Sequence, residues 1–378
     1  LAGIYLHIPF CKQACYYCNF HFSTTLHLKT KLIDSIVKEI ALQQNFFEDS
    51  QPSPIIETIY FGGGTPSLLT EAEIGKLLNQ MHQHFTISPN AEITLEANPD
   101  DINAEKLKAL FNLGINRLSI GIQSLNDEHL QYMNRSHTAQ EAIQCISDSL
   151  NMGFKQLNID MIFGLPGLST AHWEQQLKQI SDFPVEHLSA YALTVEPKTA
   201  LAKMLSKGNG KPLDDALTAE QFLLTSSILE SFGYEHYELS NYARNQQYAK
   251  HNTAYWQNKP YLGVGPSAHS YFQHQRSWNI ANNAMYIKNM EAGKPFSESE
   301  NLTLKDRYNE YLMTGLRTQW GVNLPTIAQQ FGKEYASHLK QSLTEINPTF
   351  YSQTENQIQL TKQGWLWCDA ILEQLFCL

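Results

Sequence analysis

Three cysteines stand at Cys11, Cys15 and Cys18 within HIPFCKQACYYCNF, residues 7–20, in a C-x3-C-x2-C array. Thiolates packed onto so short a loop can hold a closed tetrahedral zinc with His21 as fourth ligand, hold an iron–sulfur cluster, or have no role at all. The array lacks the second half-site of paired C-x2-C zinc loops. Tyr16, Tyr17 and Phe20 surround the sulfurs with aromatic bulk that would keep water from a redox cluster. A cluster held by three thiolates leaves one metal position open for a ligand. The other cysteines, Cys145, Cys368 and Cys377, are scattered and form no disulfide framework.

Further chemistry-bearing residues follow short apolar runs. FGGGTPS at 61–67 lacks the Lys-Ser/Thr of a phosphate-binding loop; by itself it is a tight glycine turn. Glu96 and Asn98, Gln123 and Ser124, and Asp160 each stand at the end of such a run. HNTAYW at 251–256 has the composition of a polar turn packed by Tyr255 and Trp256, with His251 hydrogen-bonded.

The elements that must carry these residues alternate. IYLHI, ETIYFG, EITLEA, RLSIGI, QLNIDMIFG and HLSAYALT read as strands, and the segments between them repeat apolar residues at helical spacing. Gly114 and Gly153 stand where helix C-caps belong. Such alternation builds a parallel sheet with right-handed crossovers. Because the unusual residues all fall at carboxyl ends of strands, a barrel that gathers those ends at one mouth is favoured over an open sheet. The expected fold is α/β, a partial (β/α)6 barrel over 1–235, with barrel-completing strands and the HNTAYW loop over 236–300. A smaller, mostly helical, winged-helix-like domain is expected over 301–378, acting as a structural lid.

A net charge of −10, from 27 Lys and Arg against 37 Asp and Glu, argues against a broad nucleic-acid-binding face. No apolar run approaches the ~20 residues of a membrane helix. LAGIYLHIPF lacks a basic segment before its apolar stretch and reads as a strand, not a signal peptide. The expected location is the cytoplasm.

The cysteine loop resembles that of the radical S-adenosylmethionine (SAM) enzymes, which carry the same spacing after their first strand. The resemblance implies a 4Fe–4S cluster with three irons on Cys11, Cys15 and Cys18, and a fourth iron binding the amino and carboxylate groups of SAM. One electron then splits the sulfonium C–S bond into methionine and a 5′-deoxyadenosyl radical, so an electron donor is implied as a partner. Tyr5, Tyr17, Gly63, Gly64, Thr65, Glu96, Gln123, Arg135, Asp160 and Ala192 would contact SAM. Chemistry agrees for several of them: a carboxylate such as Glu96 suits an amino group, Arg135 a carboxylate, and Asp160 ribose hydroxyls.

More closely, YLHIPFCKQACYYCNF, YFGGGTPSLL, RLSIGIQSLNDEHLQYMNRSH, NIDMIFGLPG and YALTVEPKTAL resemble the oxygen-independent coproporphyrinogen III oxidase family, through most of the chain. One branch of that family converts two propionates of coproporphyrinogen to vinyl groups; another binds heme and passes it to target proteins. Three features point to the heme-chaperone branch. Phe20 stands where the oxidase branch has a fourth cysteine, only ten residues precede Cys11, and HNTAYW matches an HNxxYW motif implicated in heme binding. The expectation is a chaperone delivering heme to acceptors such as respiratory enzymes, with His251 as axial ligand and Tyr255 and Trp256 covering the porphyrin. His269, in GPSAHS, is an alternative ligand or a core histidine. The oxidase is the alternative function, and whether SAM is turned over stays open.

Overall fold

The computed structural model describes residues 2–48 and 54–377. Six strands arise from the short β-branched and aromatic runs: β1 (Ala2–Ile8), β2 (Ile56–Gly63), β3 (Ile87–Ala97), β4 (Arg117–Gln123), β5 (Gln156–Phe163) and β6 (His187–Ala192). They pair in parallel in chain order, which requires a crossover between each pair. The helices supplying those crossovers are specified locally. Thr70 with Glu73 and Thr138 with Glu141 form capping boxes at the starts of Glu71–His84 and Ala139–Met152. Gly153, at φ 104°, ends the second of these in the left-handed conformation that glycine adopts without strain.

Strand alternation sorts the side chains. Ile4, Leu6 and Ile8 of β1 are fully buried in the main core, while Tyr5 and His7 point to the opposite, inner face. The amino-end residues Ala2, Thr58, Glu92, Arg117, Gln156 and His187, one or more from each of the six strands, line a single cavity of about 280 Å³. A flat sheet could not bring them to one cavity, so the sheet curves into the expected partial (β/α)6 barrel.

The barrel is extended at both edges. Beyond β6 lie β7 (Glu235–Glu238) and β8 (Asn241–Ala243), antiparallel. Beyond β1 lies β9 (Tyr261–Val264), parallel to it, followed by antiparallel β10 (His269–Phe272), β11 (Gln275–Asn279) and β12 (Ser297–Asn301). The order is β12-β11-β10-β9-β1-β2-β3-β4-β5-β6-β8-β7. Two of these strands were not expected. β9 is four residues long, and β12, SESEN, is exposed along its whole length and has no apolar face to read. Its acidic side chains suit an outer edge that must not pair further.

One expectation is corrected here. HNTAYW belongs to a helix, Lys250–Trp256, not to a loop. The Glu92 carboxylate accepts from the backbone N–H groups of Lys250 (3.0 Å) and His251 (3.1 Å), satisfying first-turn donors that have no partner inside a helix. The helix lines the cavity under the amino ends of the barrel strands.

From Thr303 the chain builds a second core around Tyr308, Leu312, Leu316, Ile358 and Leu372. Leu304–Leu316, opened by a Thr303/Asp306 capping box, packs with helices Leu324–Gln330, Lys333–Leu343 and Cys368–Leu375. A three-stranded antiparallel sheet is formed by 322–323, 357–360 and 351–353. Only its middle strand has an alternating pattern. Among the described residues no helix is long and apolar enough to cross a membrane.

Candidate functional site

The cysteine loop follows β1 and is pinned from two sides. Cys11 N–H donates to the Ser23 carbonyl (3.1 Å) and Ser23 N–H to that of Pro9 (2.8 Å). From across the barrel mouth, Asn134 Nδ2 donates to the Ala14 carbonyl (2.7 Å), and Asn134 Oδ1 accepts from Gln13 Nε2 (2.8 Å). Tyr16 N–H donates to the Met133 carbonyl (3.1 Å), and Lys12 pairs with Asp100 (3.0 Å) and Asp101. Cys11, Cys15 and Cys18 are thus held half-buried as free thiols. Burial pushes the Cys11 thiol up to about 11, against a hydrogen bond from Thr65, and raises Cys18 as well. Burial therefore favours the protonated thiol at Cys11 and Cys18, and a bound cation would favour the thiolate. His21, the fourth ligand of the zinc alternative, instead bonds Asn283 Oδ1 through Nε2 (2.7 Å). Among the described residues no three His, Cys, Asp or Glu are grouped to hold one metal ion.

The glycine turn lies directly against this loop. Gly64 N–H donates to the Ile8 carbonyl (2.9 Å) and Thr65 N–H to that of Phe10 (2.7 Å). A Cβ on Gly64 would stand 2.7 Å from backbone atoms of Phe10, and one on Gly63, at φ 109°, would meet the His7 ring at 2.7 Å. Bare backbone is needed here to seat the cysteine loop, whatever else it approaches.

The strand ends supply the rest. Glu96 on β3 accepts from Tyr60 OH (2.8 Å) and Gly63 N–H (3.2 Å). Burial, helped by the charge of Asp160, pushes its carboxyl up to about 7 against the Tyr60 and Gly63 bonds. Asp160 on β5 accepts from Asn158 Nδ2 (2.7 Å) and Ser119 Oγ (3.1 Å), and burial raises it too. Arg135 ties the loop to the barrel: Nη1 reaches Cys15 Sγ (3.4 Å), and Nη2 donates to Asn98 Oδ1 (2.7 Å) and the Gly121 carbonyl (2.8 Å). Its buried Nε has no partner among the described residues. Gln123 is held at φ 65°, a left-handed conformation costly for a non-glycine residue, where the β4–β5 register shifts. Tyr17 lies beside Cys15 and Arg135. Tyr5 OH lies 3.2 Å from His7 Nδ1, and its ring stacks on Tyr60. Ala192 ends β6 and borders a separate depression with Leu193 and Thr218.

The structure therefore gathers the cysteine loop, Thr65, Glu96, Asn98, Arg135 and Asp160 at one end of the barrel. Asn134 as a loop clamp and Tyr60 as the donor to Glu96 were not anticipated from the sequence, because both act on partners far away in the chain.

His251 lies elsewhere. It is 2% exposed. Its Nδ1 is 2.7 Å from Thr58 Oγ1 near the amino end of β2, its Nε2 is 2.8 Å from Tyr255 OH, and its ring stacks on Tyr60 at 5.1 Å. Burial, with the Arg117 charge, lowers its pKa to about 3, so the ring is neutral. Both ring nitrogens are engaged, so ligation of a heme iron by this imidazole would first require release of Thr58 or Tyr255. His269 differs: it is exposed on β10, and its ring makes no hydrogen bond among the described residues.

Parallel strands whose carboxyl ends surround a C-x3-C-x2-C loop define a radical SAM protein, and the model of the Radical SAM superfamily matches residues 5–180. That of the HemN C-terminal domain matches residues 302–367. In fold the chain is similar to coproporphyrinogen III oxidase (HemN) from Escherichia coli, with a TM-score of 0.84 at 23% identity over 99% of this chain and 90% of that one. The heme chaperone HemW of Bacillus subtilis (strain 168) is 32% identical over 371 residues, 97% of both chains. That of Mycobacterium tuberculosis (strain ATCC 25618 / H37Rv) is 30% identical over 374 residues, 99% of this chain and 94% of its own. The radical S-adenosyl methionine domain-containing protein 1, mitochondrial, of Danio rerio is 33% identical over 85% of this chain and 74% of its own. The chain belongs to the HemW family of radical SAM proteins.

Membership implies a 4Fe–4S cluster and SAM, and the residues present suit both. Three thiols on one pinned loop form a donor set appropriate to iron. The unpartnered Arg135 Nε and the buried Glu96 carboxyl are polar groups of opposite kind at the same barrel end.

Proposed function

We propose that this chain is a heme chaperone, which binds heme and passes it to acceptor proteins such as respiratory enzymes, and which carries a 4Fe–4S cluster and SAM at the carboxyl ends of its barrel strands. The observation that carries the reading is the similarity, over nearly the full length of both chains, to proteins named heme chaperone HemW. Phe20 supports it: this side chain, 68% exposed beside the cysteine loop, occupies the position of the oxidase branch's fourth cysteine.

When bound, the cluster supplies an electron and an iron position for SAM. Cys11, Cys15 and Cys18 hold its other three irons. Gly63, Gly64 and Thr65 offer backbone to the methionine end of SAM, Glu96 accepts from the amino group, Arg135 donates to the carboxylate, and Asp160 accepts from ribose hydroxyls. Tyr5, Tyr17, Gln123 and Ala192 complete the contact set. A partner protein supplies the electron.

Anaerobic reconstitution followed by two assays on one preparation tests the reading. Hemin titration should give a saturable Soret band. Coproporphyrinogen III incubated with SAM and a reductant should give no protoporphyrinogen IX. Product formation without heme binding would instead establish the oxidase function.

A further inference from the structure

We propose that heme occupies the cleft between the inner face of the β1–β9–β10–β11 edge and the Leu304–Leu316 helix, and that His269, not His251, supplies an axial nitrogen to its iron. The inference rests on the heme-chaperone reading and names the site of that activity.

The cleft has a volume of about 660 Å³ and runs from the cysteine loop, at Phe20, to Trp256 at the end of the Lys250–Trp256 helix. That is within the ~300–1,000 Å³ usual for small-molecule sites. Its lining matches the three parts of a heme. Phe20, Trp256 and Tyr271 present aromatic surface of the kind that covers a porphyrin face. Lys259, which makes no ion pair among the described residues, is a cation for a propionate, while Arg276 is already shared between Glu300 (3.5 Å) and Glu310. Iron needs a ligand with a free lone pair.

Three histidines line the cleft, and their bonding separates them. His7 is buried, with Nδ1 3.2 Å from Tyr5 OH and Nε2 2.9 Å from the His21 carbonyl. His21 donates from Nε2 to Asn283 Oδ1 (2.7 Å) and keeps only Nδ1, on the loop after the cysteines, for a ligand bond. His269 alone among these three has neither nitrogen in a hydrogen bond among the described residues. It is held by its strand: it pairs with Trp278 of β11, and the Ser270 hydroxyl next to it accepts from Gly263 N–H (2.9 Å). A ligand fixed on a strand is better placed than one on a loop. His251 does not line the cleft.

The test uses the full chain with its cluster reconstituted. Hemin is titrated into wild type, His269→Ala and His251→Ala, following the Soret band and the low-temperature EPR spectrum of the ferric iron. The proposal expects His269→Ala to shift the Soret maximum and weaken binding about tenfold or more through loss of the ligand bond. Added imidazole should restore the wild-type spectrum. His251→Ala should keep the wild-type heme spectrum in whatever fraction folds, and His251→Gln gives the same readout if the alanine variant is unstable. Wild-type binding with unchanged spectra and affinity in His269→Ala would overturn the assignment, as would a spectral change confined to the His251 variants. Absence of heme binding by wild type would remove the chaperone reading itself.

Discussion

Replacing Glu96 with Gln tests the strand-end site through its protons. The buried carboxyl is pushed up to about 7 by desolvation, with the charge of Asp160 adding to the effect. Only its ionised form is a strong acceptor for an amino group. SAM binding by the reconstituted protein should therefore strengthen as pH rises through about 7. For one group titrating there, the ionised fraction climbs from about 0.1 at pH 6 to about 0.9 at pH 8, an affinity change of about tenfold or ~1.4 kcal/mol. Gln can still accept from Tyr60 OH but loses the acceptor for Gly63 N–H, so the variant keeps most of the local geometry. Equilibrium dialysis of labelled SAM at about pH 6, 7 and 8, with cluster content checked by absorbance at each, measures the slope. The amino group of SAM titrates as well, but equally with both proteins, so the difference between them isolates Glu96. Parallel pH profiles for wild type and Glu96→Gln would refute the assignment.

Three further outcomes follow from the same geometry. Serine at Cys11, Cys15 or Cys18 should each lower iron and sulfide well below the wild-type content of about four per chain. Alanine at Cys145, Cys368 or Cys377 should not, and stoichiometric zinc in anaerobically isolated wild type would contradict the cluster. Gly64→Ala drives a Cβ to 2.7 Å from the backbone of Phe10; it should cost about 1–3 kcal/mol in thermal unfolding and reduce cluster retention, and unchanged melting and iron content would count against that packing role. Glu39 is fully buried, accepting from Gly265 N–H (2.7 Å), Asn279 Nδ2 (2.6 Å) and Tyr286 OH, and burial still pushes it up to about 7. Its folded pKa exceeds the unfolded value, so the folded chain holds the extra proton: the stability linked to it is complete below about pH 4 and is lost as pH rises through about 7. Glu39→Gln should remove about 2–4 kcal/mol of that pH dependence from urea unfolding between about pH 5 and 8, and an unaltered dependence would show the carboxyl ionised in the folded chain.

Much of the barrel was legible because its six parallel strands are short runs rich in apolar and β-branched residues, one face of each packed into the main core, with capping boxes and glycines marking the helices between them. β9 and β12 were not, since four residues carry little pattern and SESEN has no buried face. The Lys250–Trp256 helix, seven residues long, is too short for helical periodicity to show, and its first turn is completed by Glu92 from another strand.

The candidate site divides in the same way. Cys11, Cys15 and Cys18 lie within eight consecutive residues, so their spacing alone marked them as candidate ligands. Glu96, Gln123 and Asp160 could be grouped as candidates because strand ends meet in a barrel whatever the loops do. The clamp of Asn134 on the cysteine loop spans 120 residues, and the bond from Thr58 to His251 spans 193. A sequence states which bonds an imidazole or an amide can make. Whether those bonds are already made depends on groups brought in from distant segments by packing, and that is why only the tertiary structure separates His251, with both nitrogens engaged, from His269, whose ring makes no hydrogen bond among the described residues.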